Sequence, residues 1–200
     1  RSKIDCSKSM VMRIKQLPDS LANQIAAGEV IERPASVIKE LLENAMDSLA
    51  DAIQIEVDYG GLSRIKVSDN GTGILAADLP LAIAAHATSK ISTLDDLYAL
   101  KSLGFRGEAL ASIASIAQLS ICSRPESQTH AVQLLVKDGQ ISQSPSARQP
   151  GTTVEVIDLF YNAPVRKKFL KAERTEFLAL EAVVKRFALS NPGITLSLKH

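Results

Sequence analysis

Residues 37–47, VIKELLENAMD, carry apolar side chains at Val37, Ile38, Leu41, Leu42 and Ala45, the spacing of one broad helical face. The Arg33–Pro34 break before them places Pro34 in the first turn of that helix. Upstream, 17–30 has Leu21 and Ile25 on one face, Pro18 near its start and Gly28 near its end, which predicts a short helix. The period then changes. Ile53, Ile55 and Val57 alternate, Tyr59-Gly60-Gly61 turns the chain, and Leu62, Ile65 and Val67 follow, predicting a hairpin over 52–71. The Ala-rich stretch 75–90 predicts a helix despite Pro80, and 92–100 another, opened by Ser92 or Thr93. Residues 103–117 read as a glycine-bounded loop entering a helix. Strands are predicted at 119–124, 130–141 and 152–160, a long amphipathic helix at 175–189, and a last strand at 194–200.

Grouped helices and hairpin-like strands, without strict β-α-β alternation, predict an α+β fold: a mixed, mostly antiparallel sheet with helices on one face. The final strand ends with the chain, as expected of a fragment of a longer protein. Residues 1–11 are polar and are expected to be a disordered extension or tag, leaving 12–200 as the folded domain.

Composition narrows this little. The chain has 200 residues, 46% hydrophobic and 22% charged, which is globular rather than disordered composition. With a net charge of +1, any nucleic-acid contact must come from a local patch. Cys6 and Cys122 form no metal-binding spacing, and reduced thiols in a cytoplasmic protein are the expectation. No apolar run approaches the ~18 residues of a membrane span.

Several stretches carry candidate chemistry. On the 37–47 helix, Glu40, Asn44 and Asp47 stack as a polar ridge beside the apolar stripe, within roughly 60° of one another at ~100° per residue. A solvated face would explain that ridge if it stood alone. VSDNGTGI sets Asp69 at a strand end before Gly71 and Gly73, so a ligand can approach backbone closely while donating to a carboxylate, as the exocyclic amine of a purine would. A plain turn uses the same residues. GTGILA also matches a dinucleotide fingerprint. However, Asp69-Asn70 would sit beside the pyrophosphate, and no acidic strand end follows about 20 residues later.

SLGFRGEAL flanks Arg106 with Gly104 and Gly107 and runs into a helix, either a phosphate cradle or an ordinary helix start. HATSK offers His86, Thr88, Ser89 and Lys90, and QPGTTVEV opens a strand with Thr153 near its start. Arg166, Lys167, Lys168, Lys171 and Arg174 form either a charged helix face or a nucleic-acid contact. A nucleotide site needs a purine anchor, a phosphate cradle, a Mg²⁺ ligand and a base for water. Glu40 and Asn44, one turn apart, match the last two roles.

Together KELLENAMD, DNGTGI, ATSK, GFRGEAL and GTTVEVIDLFYNAPVRKKFL, with LPDSLANQIAAGEVIERPAS before them, resemble the N-terminal ATPase region of the MutL mismatch repair family. The resemblance runs from about Met12 to His200. That family belongs to the GHKL class of gyrase B subunits, ninety-kilodalton heat-shock chaperones and sensor histidine kinases. It implies a two-layer α/β sandwich (the Bergerat fold) that binds ATP and Mg²⁺ between helices and sheet and acts as a Mg²⁺-dependent ATPase.

Carried over, Glu40 is the general base, Asn44 the Mg²⁺ ligand and Asp69 the adenine-binding acid, with Gly71 and Gly73 shaping that pocket. Thr88, Ser89 and Lys90, and Gly104, Phe105, Arg106, Gly107, Glu108, Ala109 and Leu110, resemble the lid and phosphate loop. Thr153 matches a position beside the adenine. The partners implied are the mismatch-recognition protein MutS, an endonuclease and a helicase of repair, DNA mostly through parts of the protein beyond His200, and a second copy in an ATP-dependent N-terminal dimer. No membrane partner is implied. One departure stands out: the family's Asp-Ala-Gly-Ala reads Asp47-Ser48-Leu49-Ala50 here, which alters how the helix ends. The rival readings are another GHKL ATPase (topoisomerase subunit or chaperone), a DNA-binding scaffold without catalysis, and an oxidoreductase built on GTGILA.

Overall fold

Alternation builds the centre of the sheet. Ile53, Ile55 and Val57 of β1 (Ala52–Asp58) and Ile65 and Val67 of β2 (Arg64–Asp69) are buried on one face, because successive strand side chains point to opposite faces. β1 and β2 pair as an antiparallel hairpin, Ile55 opposite Val67, across a 3-10 turn at Tyr59–Gly61. The computed structural model describes residues 16, 18–84, 87 and 108–200, with backbone alone for 19–24. The same covered face continues through Leu119 and Ile121 of β3 (Gln118–Arg124), Leu134 and Val136 of β4 (Ala131–Lys137), and Val154 and Val156 of β6 (Gly151–Ile157). With β5 (Gln140–Ser146) and β7 (Thr195–Lys199) at the edges, the seven-stranded order is β5-β4-β3-β6-β2-β1-β7. Every pairing is antiparallel except β1 with β7. The sheet is therefore mixed and mostly antiparallel, as expected.

Helices cover the buried face. α1 (Asp19–Val30) packs against α4 (Ala109–Ile116), and α2 (Pro34–Asp47) against β2 and against α6 (Glu173–Ser190). Val37, Ile38, Leu41, Leu42 and Ala45 of α2 are buried with Ile113, Ile116, Leu180 and Val184, the apolar stripe read from the sequence. The start of α2 is fastened to α6: Arg33 Nε and Nη2 both reach Glu176 Oε2 at 2.9 Å, and Glu176 Oε1 accepts the Lys171 N–H. The far face of the sheet is polar. There Arg64 bonds Glu155, Asp58 and Glu56, and Lys66 bonds Glu56 at 3.0 Å.

Three boundaries differ from expectation. Between residues 75 and 84 only α3 (Leu79–Ala82) is helical, because Pro80 suits a first turn and not the middle of a longer helix. The strand expected at 130–141 is a hairpin, since Asp138 and Gly139 both adopt positive φ (50° and 74°) and turn β4 into β5. β6 stops at Ile157, because Asp158 and Phe160 also have positive φ. The basic stretch starts as the short helix α5 (Pro164–Lys167). Residues 1–11, the helix expected at 92–100 and Cys6 lie outside the described residues, and Cys122 is a free, half-buried thiol. Among the described residues no helix is long and apolar enough to cross a membrane.

The end of α2 carries the departure noted above. Leu49 takes φ 62°, and the Ala50 N–H reaches back to the Ala45 carbonyl at 3.2 Å. This is the left-handed helix stop usually assigned to glycine. The Leu49 side chain is 81% exposed, so the backbone conformation is imposed without burying the leucine.

Candidate functional site

Asp69 ends β2 on the covered face. Its carboxylate oxygen Oδ1 accepts two backbone N–H groups, from Gly71 at 2.9 Å and Thr152 at 3.1 Å. Burial pushes the Asp69 carboxyl above the usual aspartate range, against the two N–H donors and the charge of Arg148, which act the other way. The loop after Asp69 is fixed to the end of α2. The Thr72 N–H bonds the Ser48 carbonyl at 2.9 Å, and Asn70 Oδ1 accepts the N–H groups of Asp51 and Ala52. Gly71 lies so close to Ser48 that a side chain there would collide with its hydroxyl and carbonyl. Gly73 has φ 74°, and a Cβ on it would stand 2.6 Å from the Arg124 carbonyl. Both glycines are thus required by the packing around Asp69.

β6 contributes the opposite wall. Ser68 pairs with Thr153, and the Thr153 hydroxyl bonds Ser68 Oγ at 3.0 Å on the open face. Thr152 is the residue that shares the face of Asp69, together with Val154 and Val156. The expected place of Thr153 beside Asp69 is therefore corrected to Thr152, because neighbouring residues of a strand point to opposite faces. The parity was available in GTTVEV, since Thr152 is in step with the core valines. The buried Ser123 hydroxyl continues the web: it accepts the Ile74 N–H, donates to the Gly151 carbonyl and meets Thr152 Oγ1 at 2.9 Å. Neither Ser123 nor Arg148 was singled out from the sequence; both act through contacts distant along the chain.

Glu40 and Asn44 are half-buried on α2, one turn apart. Lys39 Nζ stands 3.6 Å from Glu40 Oε1 and 3.1 Å from Glu43 Oε1. Glu108, Ala109 and Leu110 form the half-buried entry to α4. His86, Thr88, Ser89, Lys90, Gly104, Phe105, Arg106 and Gly107 lie outside the described residues. Among the described residues no group of three or more His, Cys, Asp or Glu side chains could hold a metal ion. A metal here would be held by one or two protein oxygens together with ligand phosphates, the manner of Mg²⁺, and the carboxamide of Asn44 fits that donor set. The dinucleotide rival fails on structure: its fingerprint needs a helix straight after the glycines, whereas α3 begins only at Leu79 and spans four residues.

With this arrangement in view, the comparisons with known proteins are decisive. The family described as histidine kinase-, DNA gyrase B- and HSP90-like ATPase matches residues 31–162. The DNA mismatch repair protein MutL of Edwardsiella ictaluri is 57% identical over 191 residues, covering 94% of this chain and 30% of that protein. MutL of Neisseria meningitidis is 53% identical over 189 residues, with 94% and 29% coverage. The chain belongs to the MutL branch of this ATPase family. It corresponds to the N-terminal region and spans about 30% of the length of the curated relatives it matches. Among solved structures, the Aquifex aeolicus MutL ATPase domain complexed with ADP superposes with a TM-score of 0.70 at 34% identity, covering 85% of this chain and 60% of that one. The N-terminal domain of a DNA repair protein gives 0.73 at 37% identity, with 88% and 51% coverage. The sheet with helices on one face is the Bergerat arrangement shared with these two domains.

Proposed function

We propose that the chain is the Mg²⁺-dependent, slowly ATP-hydrolysing module of a MutL mismatch repair protein. The observation that carries this reading is the Asp69 carboxylate at the end of β2, half-buried, raised in pKa and held through Oδ1 by the backbone N–H groups of Gly71 and Thr152. Such a carboxylate accepts an adenine amine while its own orientation stays fixed. Bound Mg²⁺ supplies charge neutralisation for the triphosphate. Asn44 offers it a carboxamide oxygen, and Glu40, one turn away, orients a water and takes its proton. Thr88, Ser89, Lys90 and the segment from Gly104 to Leu110 act as lid and phosphate loop. Nucleotide binding favours a closed state in which two N-terminal regions associate. That closure couples mismatch recognition by MutS to the incising endonuclease and the helicase, and DNA is held mainly by other parts of the longer protein.

The test is calorimetric titration of the chain with a non-hydrolysable ATP analogue and Mg²⁺, beside Asp69→Asn and Asn44→Ala. Binding that is lost in the first variant and loses its Mg²⁺ dependence in the second is the expected result. Binding indifferent to both substitutions would sink the assignment. Glu40→Ala is expected to bind nucleotide and to lose hydrolysis by about 100-fold or more, read by single-turnover phosphate release in the longer protein.

A further inference from the structure

We infer that Arg148 is a positioning residue for base selection, holding Asp69 so that its carboxylate accepts a 6-aminopurine and rejects a 6-oxopurine. This rests on the nucleotide reading of the Asp69 site.

Arg148 lies in the connection between β5 and β6, far in sequence from the strands it binds. Its guanidinium donates from Nη2 to the Asp69 carbonyl at 2.8 Å and from Nη1 to the Cys122 carbonyl at 3.0 Å. β2 and β3 are not neighbours in the sheet, because β6 runs between them. One planar fork therefore bridges two strands across the start of the strand that separates them, a geometry suited to arginine and not to lysine. Asp69 stands one residue beyond the last β2–β6 register pair, Ser68 with Thr153. Its carbonyl meets Arg148 where a strand partner would otherwise continue.

Asp69 is thus fixed twice. Gly71 and Thr152 hold Oδ1 of the carboxylate, and Arg148 holds the peptide unit that carries it. With both ends held, the direction of the second carboxylate oxygen is set. An ionised carboxylate only accepts hydrogen bonds, so it takes an exocyclic N–H and repels a 6-oxo group. A protonated one can donate and loses that discrimination. The charge of Arg148 acts on Asp69 in favour of the ionised form, against its burial. Loss of Arg148 would relax both the aim and the ionisation of the same group.

The experiment measures affinity for ADP and for IDP, which differ at the purine 6-position, in the chain and in Arg148→Lys and Arg148→Met, with a thermal melt of each. Arg148→Met is expected to reduce the ADP-to-IDP preference by about tenfold, since a site built to pair a polar group discriminates by leaving it unpaired. Arg148→Lys, which keeps the charge without the fork, should fall between, and it carries the test if the methionine variant does not fold. An equal loss of affinity for both nucleotides, or an unchanged preference, would overturn the inference and leave Arg148 a structural brace. Absence of ADP binding by the unsubstituted chain would overturn the nucleotide reading itself and the inference with it.

Discussion

Asp69 and Glu56 sit on adjacent strands of one sheet and have opposite surroundings. Glu56 faces the open side, where Lys66 and then Arg64 bond its carboxylate and hold its pKa below the usual range. Asp69 faces the covered side, where burial raises its pKa and its carboxylate is bonded by backbone N–H groups. The first carboxylate is satisfied by cations in a wet network. The second is half-buried and held by backbone donors. A sheet with one covered and one solvated face thus sets its acids in two environments, and the recognition role proposed for Asp69 separates experimentally from the ion-pair role of Glu56.

The largest expected effect breaks the comparison at its buried end. Asp69→Asn keeps an oxygen for the Gly71 and Thr152 N–H groups but removes the charge. Nucleotide affinity should fall by about 100-fold or more, as expected for losing a charge-assisted bond in a half-buried site, while thermal stability is unchanged or higher. A large loss of stability with nucleotide binding intact would reverse the assignment of Asp69.

Acid titration sharpens the contrast through its sign. The folded pKa of Asp69 lies above its ordinary value of 3.8, so its contribution to stability falls as pH rises through the window between the two. The folded pKa of Glu56 lies below 4.5, so its contribution is present above that value and is lost as pH falls through the folded one. ADP affinity should decline at a pH above the ordinary aspartate range, before the Glu56 network titrates. Calorimetry across pH, repeated on Glu56→Gln, separates the two, because only the stability limb should change in that variant.

A smaller effect is expected at the helix end beside the site. Leu49 holds φ 62° with its side chain in solvent, and Leu49→Gly should stabilise the chain by about 1 kcal/mol by removing left-handed strain. A denaturant midpoint that does not rise would show the strain to be relieved elsewhere. The smallest effect is that of Glu56→Gln, expected to cost less than about 1 kcal/mol because the network is partly solvated, with nucleotide affinity untouched.

The hydrophobic pattern foretold structure where burial imposes a period. The α2 stripe and the β1–β2 hairpin follow directly from Val37 to Ala45 and from Ile53 to Val67. It failed at β5, which is exposed along almost its whole length and contains Pro145. An edge strand with a free side tolerates proline and needs no apolar face. The Asp138–Gly139 turn was the available signal for it. Asp69 could be read from composition and position, and Thr152 from parity. Arg148 could not, because its two bonds join residues that only the strand order brings together.

The position of β7 has a consequence for synthesis. β1 and β2 pair locally, but the outer edge of β2 waits for β6, and that of β1 waits for β7 at residues 195–199. On the ribosome the first hairpin therefore emerges with both edges open, and the chain must extend through Lys199 before the second edge is covered. Contacts so distant in sequence form late, and open strand edges invite pairing with other chains. A nascent chain released before β7 would expose the β1 edge, next to the strand that ends in Asp69.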